Sequence, residues 1–174
     1  MTLRFIHPPL DGPVTGGTRY NQSLIRTAQC QGIRLDSVEW PGQADITELL
    51  APFDSRRDLL LWDSLFLRDL ADWSGMGSWP RQGLLVHYLP YANPMLDEEK
   101  RKYWRNQFWR VARGMRFLLA TGARVADELR QQYPHCAVFL REPRVDPIFR
   151  QYRGRRRSLN RPGPVRLITV ANLL

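Results

Sequence analysis

The chain is poor in cysteine. Cys30 and Cys136 stand alone and far apart. That excludes a disulfide framework and a cysteine metal clip, and leaves two thiols expected to be buried or half-buried. No hydrophobic run approaches bilayer length; Leu59-Leu60-Leu61-Trp62 is typical of the longest. The start, Met1-Thr2-Leu3-Arg4-Phe5, lacks the charged n-region and apolar h-region of a secretory signal. A cytoplasmic location is the expectation. Several catalytic signatures are missing too. There is no Gly-x-Gly-x-x-Gly, no Walker loop, no serine elbow and no metal-binding histidine pair. Glu39 follows the second strand-like run and could pose as a ribose-binding acid, but a single acid there is weak evidence for a dinucleotide site. Internal repeats are absent.

What is present fits one globular domain. With 174 residues, 43% hydrophobic and 25% charged, the chain can bury a substantial core. Its net charge of +9 favours acidic partners: nucleic acid, anionic lipid or phosphorylated ligands. Charge alone does not choose among them.

Short β-like runs alternate with longer helix-like runs. Strands are expected at Leu3–His7, Ile33–Val38, Asp58–Trp62, Gly83–Tyr88, Met115–Thr121 and Ala137–Arg141. Helices are expected at Gly17–Gln31, Leu65–Trp73, Asp97–Arg113 and Arg124–Tyr133, with a short helical turn at Asp45–Leu50. Tyr20, Leu24, Ile25 and Ala28 share one face of the first helix, and Gly32 stops it. Several strands are almost continuously apolar, as in sheets covered on both faces. The pattern predicts an α/β fold, a Rossmann-like doubly wound parallel sheet, over residues 1–149. Residues 150–164 are basic and contain glycine and proline, which reads as an interdomain linker. Val165–Val170 then begins a further strand within 165–174. The expectation is a second, C-terminal lobe that this chain lacks.

In an open parallel sheet, ligands bind beyond the carboxyl ends of the strands. His7, Asp63, His87 and Thr121 all fall there. So does the loop that ends in Gly16-Gly17, where a strand passes through a Gly/Pro turn into a helix. Such a turn aims backbone N–H groups and the positive end of a helix at one point, which suits an anion.

Those residues carry a family resemblance. Gly16-Gly17-Thr18-Arg19-Tyr20-Asn21, Leu84-Leu85-Val86-His87-Tyr88, Leu118–Leu129, Arg144-Val145-Asp146-Pro147-Ile148-Phe149 and Val165–Leu174 follow one another in the order and spacing of five motifs. Together they resemble the N-terminal half of GT-B-fold glycosyltransferases of the retaining, GT4-like group. The chain departs from that pattern at Thr121-Gly122, where the family often has serine, and at Arg144, where it usually has glycine. The resemblance implies a transferase that moves a sugar from a nucleotide-sugar donor to a glycan or lipid-linked acceptor. By similarity, Gly16 and Gly17 let backbone amides approach the donor diphosphate, and His87 is the catalytic-site residue that hydrogen-bonds the donor sugar. His7, Asp63 and Thr121 form the acceptor-side rim. No cofactor and no metal is implied. The family's E-x7-E motif and basic phosphate-binding pair belong to the second lobe, so the chain alone is expected to show no turnover. The alternative is a stand-alone Rossmann-like nucleotide-binding or basic surface-binding module without catalysis.

The Asp97–Arg113 helix adds a surface. Trp104, Phe108, Val111 and Ala112 recur at helical spacing and are expected to face the core. Lys100, Arg101, Arg105 and Trp109 lie off that stripe. A cationic helix with an exposed aromatic can rest on an anionic membrane surface, which makes the protein a candidate peripheral membrane protein. A solvated face is the plainer reading. Trp73–Trp79, a glycine-rich loop with two tryptophans, reads as an acceptor lip or as a packed surface loop. Arg153–Arg157 lies in the linker without interleaved aromatics, so a solvated hinge is expected there and nucleic acid is not an expected partner.

Overall fold

Six strands lie side by side in the order β2-β1-β3-β4-β5-β6, and every pair is parallel. The computed structural model of the chain describes residues 2–143, apart from 13, 14 and 43. The strands are β1 (Thr2–His7), β2 (Leu35–Glu39), β3 (Asp58–Asp63), β4 (Gln82–Val86), β5 (Phe117–Ala120) and β6 (Ala137–Leu140). The helices between them are α1 (Gly16–Cys30), α2 (Ile46–Leu50), α3 (Leu67–Asp72), α4 (Glu98–Arg113) and α5 (Ala123–Gln132). This is the Rossmann-like α/β architecture that the alternating runs predict. The expected linker, the further strand after it and the Arg144–Phe149 motif all lie outside the described residues.

The helices divide unequally over the sheet. Tyr20, Leu24 and Ile25 of α1 pack on one face against Phe5, Leu61 and Leu85. The other four helices pack on the opposite face, where the larger core holds Ile6, Leu60, Trp62, Leu84, Phe108, Leu118 and Leu129. Central strands buried on both faces explain the unbroken apolar runs: all five residues of β4 are buried. On α4 the expected stripe is found, with Phe108, Val111 and Ala112 fully buried.

The amino edge of the sheet is pinned by side chains. The buried Gln82 side chain donates to the Met76 carbonyl and, at 3.0 Å, to that of Gly114, while accepting from Trp62 Nε1 at 3.3 Å. Arg4 bridges Asp36 and Asp58 there. The Trp73–Trp79 loop lies at this same edge, with Trp73, Met76 and Trp79 packed against the core; it behaves as a packed surface loop. Gly83 has no room for a side chain, because an added Cβ would meet the Phe117 ring at 2.3 Å.

Three local expectations need correction. The helix expected over Leu65–Trp73 begins as a one-turn 3-10 segment, Ser64–Phe66, because the Asp63 side chain accepts from the Leu65 amide and tightens the entry. The fourth strand ends at Val86, not Tyr88. The amide of His87 is taken by Ser64 Oγ (3.3 Å) and its carbonyl by Thr121 Oγ1 (3.2 Å), so the backbone leaves the ladder. Cys30 is exposed and not half-buried. It is two residues beyond the buried Ala28, and two residues turn a helix to its far side. Cys136 is buried; its thiol donates toward the Ala112 and Met115 carbonyls, and burial pushes its pKa up.

Candidate functional site

Strand order reverses between β1 and β3, since β1 leads first to β2 on one side and the chain then returns to β3 on the other. Crevices at such reversal points are where doubly wound sheets bind ligands. The first turn of α1 and the carboxyl end of β3 meet there.

Thr15 caps α1. Its Oγ1 accepts from the Thr18 amide at 3.1 Å, and its carbonyl accepts from the Arg19 amide at 3.1 Å. The amides of Gly16 and Gly17 make no hydrogen bond to the described residues, and they point outward at the positive end of a 15-residue helix. A Cβ placed on Gly17 would lie 3.8 Å from His87 Nε2. Gly17 and His87, 70 residues apart in sequence (87 − 17), therefore lie against each other at the carboxyl edge of the sheet.

His87 follows the last residue of β4. Its backbone is held on both sides by Ser64 and Thr121, and its ring is 5.5 Å from that of Tyr20 in an edge-on contact. The ring Nε2 lies 3.1 Å from Asp63 Oδ2. Asp63 is wholly buried. Its Oδ2 also accepts from Asn21 Nδ2 at 2.6 Å, and its Oδ1 accepts from the Leu65 amide at 2.9 Å. Tyr20 closes the roof by donating to the Arg141 carbonyl beyond β6 at 2.8 Å. Burial pushes the Tyr20 phenol up, with the nearby Arg141 charge opposing.

Of the expected site residues, Gly16, Gly17, Asp63, His87 and Thr121 come together. Thr121 reaches the site through its hydroxyl on the His87 carbonyl. His7 stands at the same edge but is withheld from solvent: Nδ1 contacts the Pro8 carbonyl at 2.7 Å and Nε2 contacts Ser37 Oγ at 2.6 Å. Glu39 accepts from the Leu10 amide at 3.3 Å, clipping the loop after β1.

Asn21, Ser64 and Tyr20 belong to the site without having been singled out as site residues. Asn21 left a legible signal. It falls on the apolar stripe with Leu24, Ile25 and Ala28, so it is a polar side chain where a core residue is expected.

On the opposite sheet face, α4 starts at this same edge, after the loop that follows β4. Lys100 and Arg101 pair with Asp97 (2.9 Å) and Glu98 (3.8 Å) of their own helix. The Lys100 amide, donating to Asp97, is the main reason that carboxyl is held below the usual range. Arg105 and Trp109 line an open cleft of about 350 Å³ with Asn106, Gln132 and Tyr133. Trp109 is 46% exposed, and the Arg113 guanidinium stacks 4.3 Å from its ring centre.

No protein-family model matches the chain, and neither does any curated protein. Fold and site together define a Rossmann-like parallel α/β domain with a glycine-opened helix facing a histidine–carboxylate pair. Among the described residues no helix is long and apolar enough to cross a membrane.

Proposed function

We propose that the chain is the acceptor-side lobe of a GT-B-fold, GT4-like glycosyltransferase, which moves a sugar from a nucleotide-sugar donor to a glycan or lipid-linked acceptor. The observation that carries the reading is the convergence of Gly17, Asp63 and His87 at the carboxyl edge of the sheet, beside its reversal point. The motif order in the sequence supports it as well.

In this reading the amides of Gly16 and Gly17, with the helix dipole behind them, face the donor diphosphate and offset its charge. His87 meets the donor sugar. Asp63 and Thr121 hold His87 in place, and the surrounding rim receives the acceptor. The cationic, aromatic side of α4 rests on an anionic membrane surface and brings a lipid-linked acceptor within reach.

The test is a titration of the isotope-labelled chain with UDP-, GDP- and ADP-sugars at millimolar concentration, followed by amide and imidazole chemical shifts. Shifts concentrated at Gly16, Gly17 and His87 are the expected result. Shifts elsewhere would overturn the reading. So would preferential binding of NAD, or of duplex nucleic acid with a steep salt slope; either favours a non-catalytic binding module.

A further inference from the structure

The two ring nitrogens of His87 are not equivalent. Nε2 faces Asp63 Oδ2, an oxygen that already accepts from Asn21 Nδ2. A carboxylate oxygen in that position accepts, so the hydrogen of the neutral imidazole belongs on Nε2. Nδ1 is left with the lone pair. The position above Gly17 looks onto the Nε2–Cδ2 edge of the ring, which puts Nδ1 on the far side from α1. Nδ1 has no hydrogen-bond partner among the described residues, and the side chain keeps 11% of its surface exposed.

The geometry points to Asp63 as a positioning residue that fixes His87 in the Nε2–H tautomer, with Nδ1 presented to accept a hydrogen bond from a ligand hydroxyl. Asn21 is the second positioning residue, holding Asp63 in turn. Capping the Leu65 amide occupies only Oδ1 of Asp63. Oδ2 is given entirely to Asn21 and His87. Asn21 is 1% exposed, and its own Oδ1 has no partner. An unpaired buried acceptor is unfavourable, yet the fold carries it on the same amide whose other end grips Asp63.

The consequence is a choice of ligand chemistry. A bare Nδ1 accepts from O–H or N–H and cannot donate to a phosphate or carboxylate oxygen. His87 therefore reads a hydroxyl, and contacts to a diphosphate fall to the amides of α1. That the hydroxyl belongs to a sugar rests on the transferase reading above; the tautomer does not.

Long-range proton–nitrogen correlation spectra of the full chain, labelled with nitrogen-15 and recorded above the imidazole titration, decide the matter. His87 is assigned by the signals lost in His87→Gln. The expected wild-type pattern is a protonated Nε2 and a bare Nδ1; a protonated Nδ1 would overturn the assignment without any further variant. In Asp63→Asn the new amide can donate to Nε2, so His87 is expected to switch to the Nδ1–H form. Asn21→Ala keeps Asp63 but loosens it, and a mixture of tautomers is expected. An unchanged pattern in both folded variants would sink the positioning role. Titration with a free hexose and, separately, with inorganic phosphate tests the ligand. Hexose is expected to shift Nδ1 and phosphate to leave it. A phosphate shift at Nδ1 overturns the hydroxyl preference. A silent hexose arm beside an intact tautomer pattern removes the sugar reading and leaves the Asp63 assignment standing.

Discussion

Alanine at position 17 adds one methyl group to the first turn of α1. Its Cβ would lie 3.6 Å from Thr15 Oγ1 and 3.8 Å from His87 Nε2, ordinary contact distances that require nothing to move. Alanine at position 16 meets nothing within 4 Å. Both changes replace glycine inside a helix, which is worth about 0.5–1 kcal/mol in favour of the folded state. Urea unfolding is therefore expected to show both variants as stable as the wild type or more so, each by up to about 1 kcal/mol. Binding separates them. The Gly17→Ala methyl lies against the Nε2–Cδ2 edge of His87, where in the transferase reading it crowds a diphosphate approaching the α1 amides, whereas the Gly16→Ala methyl stands in the open. Gly17→Ala is expected to weaken nucleotide-sugar binding by about tenfold, roughly 1.4 kcal/mol, and Gly16→Ala to weaken it far less. The reasoning is refuted if Gly17→Ala loses more than about 1 kcal/mol of stability while Gly16→Ala does not, or if both variants bind like the wild type.

Gln82→Ala removes three hydrogen bonds of a buried side chain at the amino edge of β4; a loss of about 2–4 kcal/mol in urea unfolding is expected, because the Trp62 Nε1–H and two carbonyls are left without partners. Phe108→Ala empties a fully buried site between α4 and α5 and is expected to lower stability by about 3–5 kcal/mol. Burial is the main cause that pushes the phenols of Tyr91 and Tyr133 up, Tyr133 to about 12, with the Arg105 charge opposing in both and the Tyr91 hydrogen bond opposing in Tyr133. The folded chain thus holds these protons more tightly than the unfolded chain. That stabilisation is complete below pH of about 10, the unfolded tyrosine value, and is lost as pH rises through the folded values. Ultraviolet titration should show these tyrosines ionising late and together with unfolding; early, reversible ionisation of all six tyrosines would contradict their burial. Sedimentation with anionic vesicles should fall for Arg105→Ala and Trp109→Ala, by about 1 kcal/mol for the arginine, and vanish at high salt or on neutral vesicles; unchanged sedimentation would leave α4 a solvated face.

Much of the fold is legible because each element announces itself locally. Gly32, with φ of +67°, ends α1 where glycine marks the stop, and Asp97 opens α4 as an acidic N-cap should. The fourth strand ends early for a non-local reason: side chains distant in sequence captured the backbone of His87. Ser64 and Thr121 draw His87 out of the fourth strand, and no periodicity within Gly83–Tyr88 can signal that. Asp63 reads as a rim acid at the end of a strand. Its partners, Asn21 and His87, are fixed only when α1 docks across the sheet.

The sequence by itself settled the alternation of strands and helices, the apolar stripes and the glycines that open and close α1, since these depend on residues a few positions apart. Only the tertiary structure decided which polar groups meet. The parallel order β2-β1-β3-β4 places the ends of β3 and β4 and the start of α1 side by side. That juxtaposition, and not any local pattern, gives a buried carboxylate an amide on one side and an imidazole on the other. A chain shows which residues can take part in a site, but packing across the sheet selects their partners, because hydrogen bonds form over about 3 Å of space regardless of separation along the chain.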